Sequence, residues 1–253
     1  MRTKRMTRVS FGDNTINVNM PTRWPELSQE ELRMVFGVKA VAAHDAVPTF
    51  VFFALSGMRV LYCRGGRFAC RCKTPAGKKN LWIDPAVLAE LIAPLDFLNE
   101  PGAEPVRLDV MRKRHAVDAC LHGVPFSDYL KLENLYQGFL SSKDPAILTE
   151  MADILYEGKP FGKLHDYEQL NILNWVVQVK NLFASQFSNF FQPAAGETST
   201  SMLDVMNCEI RALTGGDVTK EDTILNTDCW RALTELDFLA KEAEELRRTH
   251  KKT

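Results

Sequence analysis

The sequence predicts an α+β fold that is predominantly α-helical: a helical bundle with a small β-hairpin element in its N-terminal half. Three observations carry this expectation. From about Pro125 onward, apolar residues recur at helical spacing between capping residues. Before that, Gly65-Gly66 separates the stretches RVLYCR and RFACRCK, and two glycines that can both take positive φ make a two-residue hairpin turn. The composition, 45% hydrophobic and 25% charged over 253 residues, is that of a globular chain able to bury a core without disulfide or metal staples.

The elements follow in order. TINVN (15–19) alternates, with Ile16 and Val18 on one side, and reads as a short strand. Pro21, Trp24 and Pro25 mark an aromatic-bearing turn. Ser28 and Glu31 have the spacing of a capping box, so a helix should begin at Gln29 with Leu32, Val35 and Phe36 along one face. PTFVFFAL, from about Pro48, is apolar on all sides and reads as a core helix. Pairing across Gly65-Gly66 places Leu61, Cys63, Phe68, Cys70 and Cys72 on one face, and Tyr62, Arg64, Arg67, Ala69 and Arg71 on the other. NLWI (80–83) adds a strand, and Asp84-Pro85 supplies the N-cap and first residue of a helix reaching about Ile92. Residues 94–110, with three prolines, read as loop.

The second half is helical. FSDYLKLENLYQGFL presents Phe126, Tyr129, Leu130, Tyr136 and Phe139. Asp144-Pro145 starts a helix that Gly158 should end, and Asp166 starts a long one through Phe191 with Leu170, Leu173, Val177 and Leu182 as core candidates. In LTGGDVTKEDTILNTDCW (213–230) the glycines and Lys220 suggest a phosphate loop. However, Thr219 precedes Lys220 where that motif has glycine, Glu221 follows it, and the preceding segment is helical. The stretch reads as a connector, with Gly215-Gly216 as helix stop and Thr219 with Asp222, then Thr227 or Asp228, as restart caps. The expected organisation is a basic α+β region at 1–110, a helical region at 111–191, a flexible linker at 192–201 and acidic C-terminal helices at 202–253.

Charge is unevenly distributed. Residues 1–79 hold 14 Lys+Arg against 5 Asp+Glu, a net of +9, while residues 80–253 hold 17 against 27, a net of −10. The basic N-terminus is followed by no apolar run, and FVFFALSGMRVLY is too short and interrupted to span a bilayer. A cytoplasmic chain with no membrane partner is expected. Six cysteines without a CxxC pair read as thiols. Cys63, Cys70, Cys72 and Cys120 with His115 or His122 could hold zinc, but the spacing is poor, and no metal or cofactor is expected. His115 and His122 beside Cys120 could form a Cys-His pair, although proximity in sequence does not bring a nucleophile to its base. No HExxH, GxSxG or GxGxxG motif occurs, so no catalytic residue is assigned and a non-enzyme is expected.

The strongest local signal is the run from Arg59 to Lys79, which has seven positive residues and no acidic one, interleaved with Tyr62 and Phe68 and followed by Trp82. Arg64, Arg67, Arg71 and Lys73 are the candidate nucleic-acid contacts, with an aromatic available to stack on bases. The alternative is a solvated outer face or a contact with the acidic half. At the other end, Trp230, Leu233 and Leu236 form an apolar stripe that is either core or a docking face for another chain or for the basic N-terminal region.

MPTRWPELSQEEL (20–32), VPFSDYLKLENLYQGFL with LTEMADILY (124–156), and LFASQFSNFF followed by LTGGDVTK and the final helix resemble proteins carried by phages and prophages of gut Bacteroidetes, encoded among virion and tail-assembly genes. The resemblance covers most of the chain but carries no functional residue, and the basic hairpin lies outside it. It implies a non-enzymatic structural or assembly protein, located in the bacterial host or on the virion. Such a protein would act through contacts with other phage structural proteins or with copies of itself. A nucleic-acid-binding accessory protein using residues 59–79 is the alternative.

Overall fold

A computed structural model of the chain describes residues 5–11, 14–74, 77–192 and 201–250. Its fold is α+β and mostly helical, and the chain divides into two compact units. Unit 1 comprises residues 1–108 with 166–171, and unit 2 comprises 109–165 with 172–253. Apart from residues 166–171, which belong to unit 1, the regions expected at 111–191 and 202–253 therefore share one unit. Residues 193–200 of the expected linker lie outside the described residues.

Unit 1 begins with the antiparallel pair β1 (Arg5–Phe11) and β2 (Asn14–Met20), of which only the second was expected. In the capping box that starts α1 (Gln29–Val41), Ser28 Oγ accepts from the Glu31 N–H at 3.3 Å, and Glu31 Oε2 accepts from the Ser28 N–H at 2.8 Å. The apolar helix α2 (Val47–Ser56) ends on Gly57, whose φ of 67° is the left-handed conformation that terminates helices. The chain then enters a three-stranded antiparallel sheet, β3 (Arg59–Arg64), β4 (Arg67–Thr74) and β5 (Gly77–Ile83), with β4 central. Helix α3 (Pro85–Ile92) follows, and residues 93–99, of which 94–99 were expected as loop, coil into a 3₁₀ helix. Trp24 anchors the core: its ring stacks on Phe36, meets Phe97 edge-on, and donates Nε1–H to the Glu100 carbonyl at 2.9 Å.

Unit 2 opens with the short hairpin β6 (Val110–Met111) and β7 (Arg114–His115). Helices α4 (Phe126–Ser142) and α5 (Pro145–Leu155) follow, and Asp144 caps α5 by accepting from the Ala146 N–H at 2.9 Å. This helix stops before Gly158 because Tyr156 turns extended and bridges to Ala116. Helix α6 (Asp166–Gln186) also ends early, since Asp237 captures the backbone N–H groups of Asn189 and Phe190 at 2.8 and 3.0 Å. After α7 (Met202–Thr214), Gly215 and Gly216 both have positive φ and stop the helix. Asp217, not Thr219, caps the turn that follows by accepting from the Thr219 N–H at 3.0 Å, and Lys220 pairs with the same carboxylate at 3.4 Å. The stretch is a connector leading to α8 (Glu221–Leu225) and α9 (Cys229–His250).

The start of α9 is tied to the start of α4. Asp228 Oδ1 accepts from the Trp230 N–H at 2.8 Å, its other oxygen accepts from Gly123, and the Phe126 N–H donates to the Thr227 carbonyl at 2.8 Å. Because the helix enters at this place, Leu233 and Leu236 are core rather than a docking stripe, and Trp230 packs half-buried against that core. Leu233 and Leu236 are 0% and 3% exposed. The Trp230 ring stacks on His122, meets Phe183 and Phe187 edge-on, and donates to the Cys120 carbonyl at 2.6 Å. Replacing Trp230 by alanine should therefore cost about 3–5 kcal/mol in denaturant or thermal unfolding. A loss below about 1 kcal/mol would mean that the side chain does not support this core.

Candidate nucleic-acid interface

The two faces of the β3–β4–β5 sheet follow from alternation along β4. Phe68, Cys70 and Cys72 turn inward; Cys70 and Cys72 are buried in the core of unit 1, and the Phe68 ring meets Phe53 of α2 at 5.2 Å. Arg67, Ala69, Arg71 and Lys73 turn outward. Strand partners share a face, so the register completes it: Arg59 opposes Arg71, Tyr62 opposes Ala69 and Arg64 opposes Arg67 on one side, while Trp82 opposes Ala69, Asn80 opposes Arg71 and Lys78 opposes Lys73 on the other.

The hairpin is not regular. A bulge between Val60 and Tyr62 shifts the register. It brings Arg59 onto the outer face and sets Val60 opposite Cys70. Strict alternation from the turn would have put Leu61 on the inner face; instead it sits in the bulge, 38% exposed.

The result is an aromatic centre between two groups of cations. Tyr62 and Trp82 meet edge-on with ring centroids 5.3 Å apart, and each keeps about half its surface exposed. Ala69 lies between them on the central strand and is 5% exposed although it points outward, so the two rings cover it. Toward the turn stand Arg64 and Arg67; on the other side stand Arg59, Arg71, Lys73 and Lys78. Two of these are oriented by neighbours: Arg67 pairs with Asp84, and Arg71 Nε donates to Asn80 Oδ1 at 3.0 Å. Asp84 makes no side-chain cap to α3 and is occupied by Arg67 instead.

All four contacts expected from sequence, Arg64, Arg67, Arg71 and Lys73, thus share one face. Arg59 and Lys78 join them only through the bulge and the third strand, while Phe68 leaves the expected aromatic set because it packs inward. The third strand was legible in NLWI (80–83), but its start at Gly77 and its register were not.

The cysteines take other roles. Cys70 and Cys72 make weak S–H contacts to the carbonyls of Phe68 and Lys79 at 3.7 Å. Burial, and then the neighbouring Cys72, pushes the Cys70 thiol up to about 11. Among the described residues, no three His, Cys, Asp or Glu side chains converge as metal ligands, and no helix is long and apolar enough to cross a membrane. His122 lies against Trp230 with ring centroids 4.4 Å apart, so its face serves packing. Comparison with known protein families, characterised proteins and solved structures returns no match.

Thiol chemistry gives a direct check on this placement. At pH 7.5 iodoacetamide should modify the exposed Cys63 and Cys208 first. Cys70 and Cys229, both buried and pushed up to about 11 and about 12, should react only after unfolding. Peptide mass spectrometry of the native protein would read this order, and early modification of Cys70 would contradict the inward face of β4.

Proposed function

We propose that this is a non-catalytic binding protein that holds single-stranded nucleic acid on the outer face of β3–β4–β5. The observation that carries the reading is the exposed Tyr62–Trp82 pair at the centre of a face bearing six Lys and Arg residues. Cations on strands two residues apart can follow a phosphate backbone, and they alone would serve any polyanion. The aromatic pair favours unpaired bases, since duplex bases are stacked on one another and offer no free face.

The test uses fluorescence anisotropy of a labelled oligothymidylate and of a matched duplex. The single strand should bind more tightly, with log affinity falling linearly in log salt. Trp82→Ala should weaken single-strand binding by about 1–3 kcal/mol, roughly five- to 150-fold, and leave duplex binding nearly unchanged. Arg71→Gln should instead weaken both and flatten the salt dependence. Equal loss on strand and duplex in Trp82→Ala, or no binding at low salt, would remove the reading.

A second reading, an assembly component acting through protein contacts, follows from the phage resemblance and is favoured by the end of α9. Phe238 and Leu246 are 58% and 63% exposed, and the turns after Ala240 are almost wholly solvent-facing. If those turns pair with a second copy, Leu246→Asp should convert an oligomer to monomer in light scattering while the circular dichroism stays that of the folded chain, and the melting temperature should lose its dependence on protein concentration. A wild-type chain that is already monomeric at high concentration would argue against self-association.

A further inference from the structure

Unit 2 contains a cavity of about 660 Å³ between α4, α7, α9 and the residues just after α6. That volume suits a small organic molecule. Its walls are apolar and partly aromatic: Phe190 and Phe191 meet edge-on at 4.8 Å, and Met202, Leu236 and Leu239 continue the surface. Three polar side chains concern the charge of the site. They are Tyr129 and Glu133 from α4 and Glu209 from α7, and among the described residues no Lys or Arg lines the cavity.

The two carboxyls are not equivalent. Glu133 is compensated, because its oxygens accept from Lys180 Nζ of α6 at 2.5 and 2.6 Å and from Gln137 Nε2 at 3.0 Å. Glu209 Oε2 is buried and, among the described residues, has no hydrogen-bond partner. A buried carboxyl oxygen without a donor is costly, more so when charged. The site as folded lacks one positively charged donor, and its apolar and aromatic walls suit the body of an organic cation, which rings of this kind also attract through their faces.

We propose that this cavity is a binding site for a hydrophobic ammonium, an amine whose apolar body fills the chamber and whose charged head pairs with Glu209. A fatty carboxylate would meet Glu209 and Glu133 with like charge. A neutral apolar ligand would fill the volume and leave the Glu209 oxygen unpaired.

The charge state of Glu209 gives the site a pH dependence. Burial, and then the nearby Glu133, raises its carboxyl to about 7. Tyr129 and Cys229 beside it keep their protons through this window. Tyr129 is held well above the usual phenol range by burial, then by Glu133, Glu209 and Cys229. Cys229 is pushed up to about 12 by burial and then by Asp228. Glu133 is ion-paired to Lys180 of α6, Cys208 lines the cavity on the same helix as Glu209, and α9 contributes Leu236, Leu239 and Ala240. An alkylammonium keeps its charge throughout, so the competent form is the ionised Glu209. Its fraction rises about tenfold between pH 6 and pH 8, and affinity should rise with it.

Calorimetry on the full chain with octylammonium, octanol and octanoate tests the assignment. Octylammonium should bind at least tenfold more tightly than octanol at pH 8, with octanoate weakest, and its affinity should drop roughly tenfold by pH 6. Glu209→Gln, which removes a buried charge and should fold at least as well, should abolish both the preference for the amine and the pH dependence while octanol binding persists. Leu239→Trp should fill the chamber and block all three. Equal affinity for the three probes, no binding by any of them to folded protein, or an amine preference that survives in Glu209→Gln would each overturn the proposal.

Discussion

The outer face of the sheet depends on the two-residue alternation of β4. One strand places Phe68, Cys70 and Cys72 in the core and Arg67, Ala69, Arg71 and Lys73 in solvent, and a register slip of one residue would exchange the two sets. Burying four such outward residues while exposing two cysteines and a phenylalanine is far from marginal, so the core fixes the register and the register fixes the cation pattern. The inner cysteines are suited to this. They are small and apolar, and burial holds the Cys70 proton in place. The outward Ala69 completes the arrangement, because a large side chain there would separate Tyr62 from Trp82.

The elements that were legible in sequence are those specified locally. The capping box at Ser28 and Glu31, the Gly65-Gly66 turn, the Asp144-Pro145 start and the Gly215 stop each depend on residues a few positions apart. What was not legible depends on partners distant in sequence. Helix α6 ends where Asp237 takes its neighbours' backbone donors, and α5 ends where Tyr156 finds Ala116. The bulge at Val60 and Tyr62 has no glycine or proline to announce it, yet it decides that Arg59 joins the outer face. The stripe at Trp230, Leu233 and Leu236 has the same pattern whether it meets Phe183 and Phe187 of its own chain or a partner. Periodicity reports that a face is apolar, not what covers it.

The same distinction applies to the cavity. Glu133 and Glu209 lie on α4 and α7, and neither has a neighbourhood in sequence that marks it; each looks like a solvated carboxylate on an amphipathic helix. Their difference arises only in three dimensions, where Lys180 of α6 reaches one and nothing among the described residues reaches Oε2 of the other. A titratable group becomes informative when its environment is mismatched to its charge, and that mismatch is a property of packing.

The two parts of the sheet surface also differ in what they can discriminate. Cations release counterions from any phosphate chain, and at physiological salt their reach is about 8 Å, so they set the encounter rate and a salt-dependent share of affinity without regard to strandedness. The Tyr62–Trp82 pair works at contact and through apolar area, which salt scarcely screens. If the sheet binds nucleic acid as proposed, raising the salt would remove the part of binding that is common to duplexes and acidic proteins and leave the part that needs an unstacked base. Arg71, held by Asn80 beside the aromatic pair, belongs to both parts, because a planar guanidinium can meet a phosphate or lie over a base. Its fixed orientation reduces the rotamer freedom lost on binding, which a lysine at that position would have to give up in full. For this reason the hydrogen bond to an uncharged asparagine matters: it orients the cation without neutralising it, whereas Asp84 beside Arg67 does both.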